Sequence, residues 1–182
     1  MNGFNTIAIL LVAYLAVFAQ ATFNGFRDWF GVQMDLLPSL VVYTSLTGGI
    51  VSLLLVAVCG GLWVDSLSVN PIGVTMLPLF LVGLLIHRSR ELILRDQTYA
   101  QFILGASASA AVPFCVLVSL INLNRQPLVG WFSLWQWFVM SVLGGLMTPV
   151  WFVFFDRIGG MFNYRPLGES SFRADREIKR GR

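Results

Sequence analysis

Five stretches of the chain carry no Asp, Glu, Lys or Arg: residues 1–26, 36–64, 66–86, 97–124 and 126–155. Each exceeds the roughly 20 residues a helix needs to cross a hydrocarbon core of about 30 Å. Only 12% of the 182 residues are charged and 57% are apolar, where a soluble domain carries about a quarter charged. With a mean hydropathy of +0.76, the chain reads as all-α: a polytopic helical membrane protein of about six transmembrane helices. One membrane domain, residues 1–158, accounts for nearly all of it, and a basic tail, residues 159–182, follows.

The few charges are informative by position. Residues 1–155 hold five basic and five acidic side chains, so the net charge of +3 lies entirely in the segment from Asp156 to Arg182. A short basic tail beside a membrane span reads as an anchor at an anionic cytoplasmic leaflet rather than as a nucleic-acid site.

The expected spans follow from the gaps. The first runs from about Thr6 to Thr22. Its Ala19-Gln20-Ala21 looks like a signal-peptidase site, but no basic residue precedes the apolar run, which favours a retained span. The stretch from Met34 to Leu67 is too long for one span and short for two. Thr47, Gly48 and Gly49 suggest a break between a short second helix, about Asp35 to Leu46, and a third from Gly49 to Trp63; one long tilted helix is the alternative. The fourth is expected from Pro71 to Ile86 with Pro in the first turn, the fifth from Tyr99 to Ile121 and the sixth from Leu134 to Phe155. Six spans put both termini on one side, together with Arg88, Arg90, Arg95 and the seven basic residues from Arg157 onward. Only Arg27 and Arg125 then face outward, which makes the shared side cytoplasmic by the distribution of positive charge.

Asp65 is the one acidic residue embedded in an apolar region. An intramembrane carboxylate is a functional candidate by default, but near a helix end it also reads as a turn cap, with Ser66, Ser68 and Asn70 helping to satisfy the turn before Pro71. His87, the only histidine, reads as an interfacial side chain. Cys59 and Cys115 have neither the spacing nor the companions of a metal or disulfide site. Small residues from Gly105 to Ala111 set Gly105 four positions from Ser109, and Gly144, Gly145 and Pro149 mark the sixth span. Such faces serve helix packing within the chain or docking of a partner. Phe26, Trp29 and Phe30, and Trp131, Phe132 and Trp135, suit the headgroup boundary or a docking patch. No catalytic motif, cofactor-binding loop or metal-ligand cluster is present, so an enzyme is not expected.

The segment Gly61-Leu-Trp-Val-Asp65-Ser-Leu-Ser-Val-Asn-Pro-Ile-Gly73, followed by an apolar span ending in His87-Arg88, resembles the rod shape-determining MreD family. Gly61, Asp65 and Gly73 match that family's spacing; the charged tail after Arg165 is longer than its pattern. The resemblance implies a fold similar to the six-helix substrate-binding subunits of energy-coupling-factor transporters. It further implies a non-enzymatic inner-membrane component of the bacterial elongation machinery that binds an MreC-like periplasmic scaffold. Through that complex it would associate with an MreB-like filament, a RodA-like glycosyltransferase and a penicillin-binding transpeptidase. Candidate partner-binding residues are Gly105, Ser109, Gly144, Gly145, Trp131 and Trp135. The competing expectation is a substrate-binding subunit of a vitamin-type transporter, for which Trp63, Asp65, Asn70 and Trp131 are the available ligand-facing groups.

Overall fold

A computed structural model describes residues 3–22, 31–32, 34–68, 70–90, 97–124 and 130–162. These form six helices and, among the described residues, no strand: α1 (Gly3–Thr22), α2 (Leu37–Thr47), α3 (Ile50–Leu67), α4 (Met76–Ser89), α5 (Thr98–Asn122) and α6 (Trp131–Phe162). The protein is a helical membrane protein. Three helices, α3, α5 and α6, are long and apolar enough to cross a bilayer, and α1, α2 and α4 are shorter apolar helices. Large apolar side chains such as Ile7, Val51, Leu85 and Val150 stand exposed on the outer surface, as a hydrocarbon solvent permits.

The expected break between the second and third helices is real and falls at Gly48-Gly49. The Gly48 N–H closes α2 on the Thr44 carbonyl at 2.7 Å, so close that a Cβ at Gly48 would lie 2.6 Å from that oxygen. α2 spans only about 16 Å at 1.5 Å per residue, yet it is the centre of the fold. It packs against all five other helices, and every residue from Leu37 to Leu46 is buried. Its polar side chains are satisfied locally: Thr44 and Ser45 donate to the carbonyls of Leu40 and Val41, and Ser39 donates to the Leu36 carbonyl. Hydroxyls that bond back within their own helix are cheap to bury.

Contacts between helices fix their directions. Thr6 meets Ser52 at 2.8 Å and Tyr14 packs edge-on to Trp63, so α1 and α3 run parallel. His87 and Arg90 at the end of α4 reach Ser45 and Gly48 at the end of α2. The Trp151 indole donates to Ser39, and Phe152 and Phe155 pack on Tyr43, so α6 also runs parallel to α2. Odd-numbered helices thus run one way and even-numbered helices the other. The start of α1, the Gly48-Gly49 break, the end of α4, the start of α5 and the end of α6 share one end of the bundle, called basal here. Every Lys or Arg among the described residues (Arg88, Arg90 and Arg157) lies at that end.

Three expected boundaries are corrected. α3 continues past Trp63 to Leu67. α4 begins at Met76 instead of Pro71, because residues 72–75 form a turn whose Val74 N–H bonds to the Pro71 carbonyl. α6 overruns Phe155 and continues through Asp156 and Arg157 to Phe162. The tail from 163 lies outside the described residues, as do Phe26, Arg27, Trp29, Phe30, Arg95 and Arg125.

Candidate functional site

Gly61, Asp65 and Gly73, separated by up to twelve positions, meet in one device at the distal end of α3 and α4. Asp65 lies one helical turn beyond Gly61, on the same face of α3. It is 2% exposed, and its Oδ2 accepts the N–H of Gly73 at 2.7 Å and of Thr75 at 3.2 Å. Thr75 is the N-cap residue of α4 and offers no side-chain cap of its own, so the Asp65 carboxylate serves the start of the next helix. Two charge-assisted bonds to backbone N–H groups compensate the burial of the carboxylate. Gly73 sits at φ +96°, a left-handed conformation that side chains other than glycine rarely adopt. At Gly61 a Cβ would stand 2.6 Å from Met76 Cα and 2.8 Å from its nitrogen; the glycine lets the first residue of α4 lie directly on α3. The Ser68 N–H bonds back to the Asp65 carbonyl and the Asn70 N–H to the Ser68 hydroxyl, which completes the turn.

Asp65 is therefore a turn-capping carboxylate placed inside the last turn of α3 and fully packed. Its second oxygen, Oδ1, is buried with no hydrogen-bond partner. Sequence spacing had linked Asp65 to Ser66 and Ser68, but Ser66 is exposed and donates to Leu62 instead.

At the basal end a second device closes α2. His87 Nδ1 lies 2.9 Å from the Ser45 carbonyl and Arg90 Nη1 donates to the Gly48 carbonyl at 3.3 Å. The last carbonyls of a helix lack intrahelical partners and carry partial negative charge, which basic side chains satisfy. His87 is thus a cap on a neighbouring helix, more specific than an interfacial side chain. Ahead of α2, outside the helices, Asp35 Oδ1 accepts the Leu37 N–H. Burial pushes its carboxyl up to about 6, against the lowering pull of that N–H and of the Gln20 amide. The Gln20 Nε2 approaches without reaching hydrogen-bond geometry.

The small-residue faces meet each other. A Cβ at Gly105 would overlap the Thr148 hydroxyl, one at Gly144 would overlap the Ser109 hydroxyl, and one at Gly145 would lie 2.9 Å from the Phe102 ring. Ser141 donates to the Ala106 carbonyl across the same seam. Of the two uses expected for Gly105, Ser109, Gly144 and Gly145, packing within the chain and docking of a partner, the structure shows the first: they lock α5 to α6. Trp131 and Trp135 are different. They are 88% and 51% exposed, at the distal end of α6.

Trp63, Asp65 and Trp131, named above as ligand-facing groups, have other surroundings in the structure. Trp63 packs on Tyr14, Asp65 is spent on the turn, and Trp131 is almost wholly exposed. Among the described residues no group of three His, Cys, Asp or Glu side chains is placed to hold a metal ion, and Cys59 and Cys115 are free and half-buried. No protein-family profile, curated protein or solved structure matches the chain.

Proposed function

We propose that the protein is a non-enzymatic, multi-pass component of the bacterial cytoplasmic membrane that serves the cell-elongation complex by holding an MreC-like single-span scaffold. The observation that carries this reading is the convergence of Gly61, Asp65 and Gly73, the residues of the MreD-like pattern, on one fixed turn. Orientation is supported by Arg88, Arg90 and Arg157, which gather at the basal end; basic residues flanking spans stay on the cytoplasmic side. Both termini are then cytoplasmic, with the basal arginines facing an MreB-like filament. The distal aromatic end of α6 faces the periplasmic side, where the scaffold docks.

Depletion in a rod-shaped host is expected to widen and round the cells, with the purified complex carrying one single-span partner in stoichiometric amount. Unaltered cell width and wall insertion, or a tightly held vitamin in place of the protein partner, would overturn the reading.

A further inference from the structure

Near its basal end, α6 carries a groove of about 570 Å³ lined by Pro149, Val150, Val153, Phe154, Arg157 and Ile158. The opposite face of this helix is committed: Gly145 and Thr148 to α5, and Phe152 and Phe155 to Tyr43 of α2. α6 packs against no other described helix, so no described helix covers the groove.

We infer that this groove holds one anionic phospholipid of the leaflet at the basal end, its acyl chain along Val150, Val153 and Phe154 and its phosphate on Arg157. Three features carry the inference. Along the described lining, Pro149, Val150, Val153 and Phe154 form an apolar run that leads to the single guanidinium of Arg157, with Ile158 beside it at the basal end. Among the described residues no carboxylate pairs with Arg157, so its fork of N–H donors is open to a phosphate, which it fits in bidentate geometry. Length agrees as well: from Pro149 to Ile158 the helix rises about 14 Å at 1.5 Å per residue, close to half of a hydrocarbon core of about 30 Å. One acyl chain of one leaflet therefore runs the length of the groove.

A transmembrane helix of a partner is the competing occupant, and the lining disfavours it. Helices associate in lipid through small residues that let backbones approach closely, whereas Val, Phe and Ile here hold a second helix away. A flexible acyl chain fills such a surface without close backbone approach. The inference rests on the bilayer orientation proposed above and not on the elongation-complex reading, and the purified chain alone tests it.

The full-length protein is purified in detergent with equal amounts of phosphatidylglycerol and phosphatidylethanolamine of identical acyl chains, and retained lipid is counted by native mass spectrometry. One basic side chain near a membrane surface is worth roughly fivefold in affinity for anionic lipid, so phosphatidylglycerol is expected in roughly that excess. Arg157→Gln should erase the preference, Arg157→Lys, which keeps the charge without the planar fork, should keep part of it, and Val153→Trp, which fills the groove from an exposed position, should release both lipids. Arg88→Gln, outside the groove, should change nothing. Equal retention of the two lipids by the unaltered chain overturns the inference. An undiminished preference in Arg157→Gln does so too, as does unchanged lipid retention in Val153→Trp.

Discussion

The two halves of the α5–α6 hairpin are built on opposite rules. In the basal half, Gly105, Ala108, Ser109 and Val112 of α5 are buried, as are Gly144, Gly145, Thr148, Phe152 and Phe155 of α6. In the distal half, from 113 on α5 and before 144 on α6, no described residue is buried. Phe114, Ile121, Trp131, Phe132, Trp135 and Phe138 are instead exposed. Small side chains let two backbones approach until hydroxyls fill the space between them; bulky ones hold surfaces open for whatever surrounds the protein. α5 and α6 extend about 37 Å and 48 Å, far beyond the 16 Å of α2, so their distal half stands clear of the central helix. One helix pair thus supplies both a close-packed wall of the bundle and an exposed aromatic surface.

The strongest way to break this contrast is to put a large side chain into the closed half. Gly144→Leu would drive a branched chain into the Ser109 hydroxyl, and in a seam this close neither helix can yield without losing Ser141 to Ala106 as well. Overpacking a well-filled interior costs about 1–3 kcal/mol, and a backbone-to-backbone contact belongs at the upper end of that range. Unfolding in mixed micelles should show a loss of at least about 3 kcal/mol, whereas Leu at Trp135, in the open half, should change stability by less than about 0.5 kcal/mol.

A smaller effect is expected at the other closed junction, between α3 and α4. Asp65→Ala removes the acceptor of the Gly73 and Thr75 N–H groups and leaves two donors without partners, at about 2–3 kcal/mol. Asp65→Asn keeps an acceptor oxygen and removes a buried charge, so its cost should stay near 1 kcal/mol. The diagnostic measurement is the ratio of the two variants in the same unfolding assay together with complementation of cell width. If Asn abolishes shape with normal membrane level and stability, the carboxylate does more than cap the turn.

How much of this was readable beforehand depended on how local each cause is. The Gly48-Gly49 break follows from paired residues that disfavour helix continuation, and the small-residue run at 105–111 announced a close helix contact. Which helix it would contact was not readable, because Gly105 and Thr148 are paired by the fold alone. The start of α4 was misplaced for a similar reason. Pro71 is suited to a first turn, but the distant Asp65 carboxylate draws the N–H groups of Gly73 and Thr75 onto itself and holds 71–75 as a turn. α6 overran its expected end because Asp156 and Arg157 mark a change in charge, which ends a hydrophobic run without ending a helix. Nothing in sequence could show His87 meeting the Ser45 carbonyl, 42 positions away. The central position of α2 was equally hidden, since its Ser and Thr side chains make a buried helix look half-polar.

The smallest effect on stability, and the sharpest on function, is expected in the open half. Trp131, Trp135 and Phe138 fall at positions i, i+4 and i+7 of α6 and form one stripe on the helix, 88%, 51% and 63% exposed. Among the described residues they are exposed, with Trp135 and Phe138 in ring contact with each other: replacing all three by Leu preserves an apolar surface and should leave stability within about 0.5 kcal/mol. Exposed indoles in a cluster are what binding surfaces use as anchors, each worth roughly 2 kcal/mol when it is the centre of a contact. Loss of two should weaken capture of the proposed single-span partner by more than about thirtyfold in detergent at matched protein concentration. Unchanged capture would move the docking surface off this stripe and leave the aromatic half with the plainer task of seating α6 at the headgroup boundary. The contrast within the hairpin would then be one of depth in the bilayer, with the closed half in hydrocarbon and the open half at its edge. Full loss of capture at unchanged stability would instead mean that the hairpin divides its labour along its length, with small residues holding the fold and large ones holding the partner.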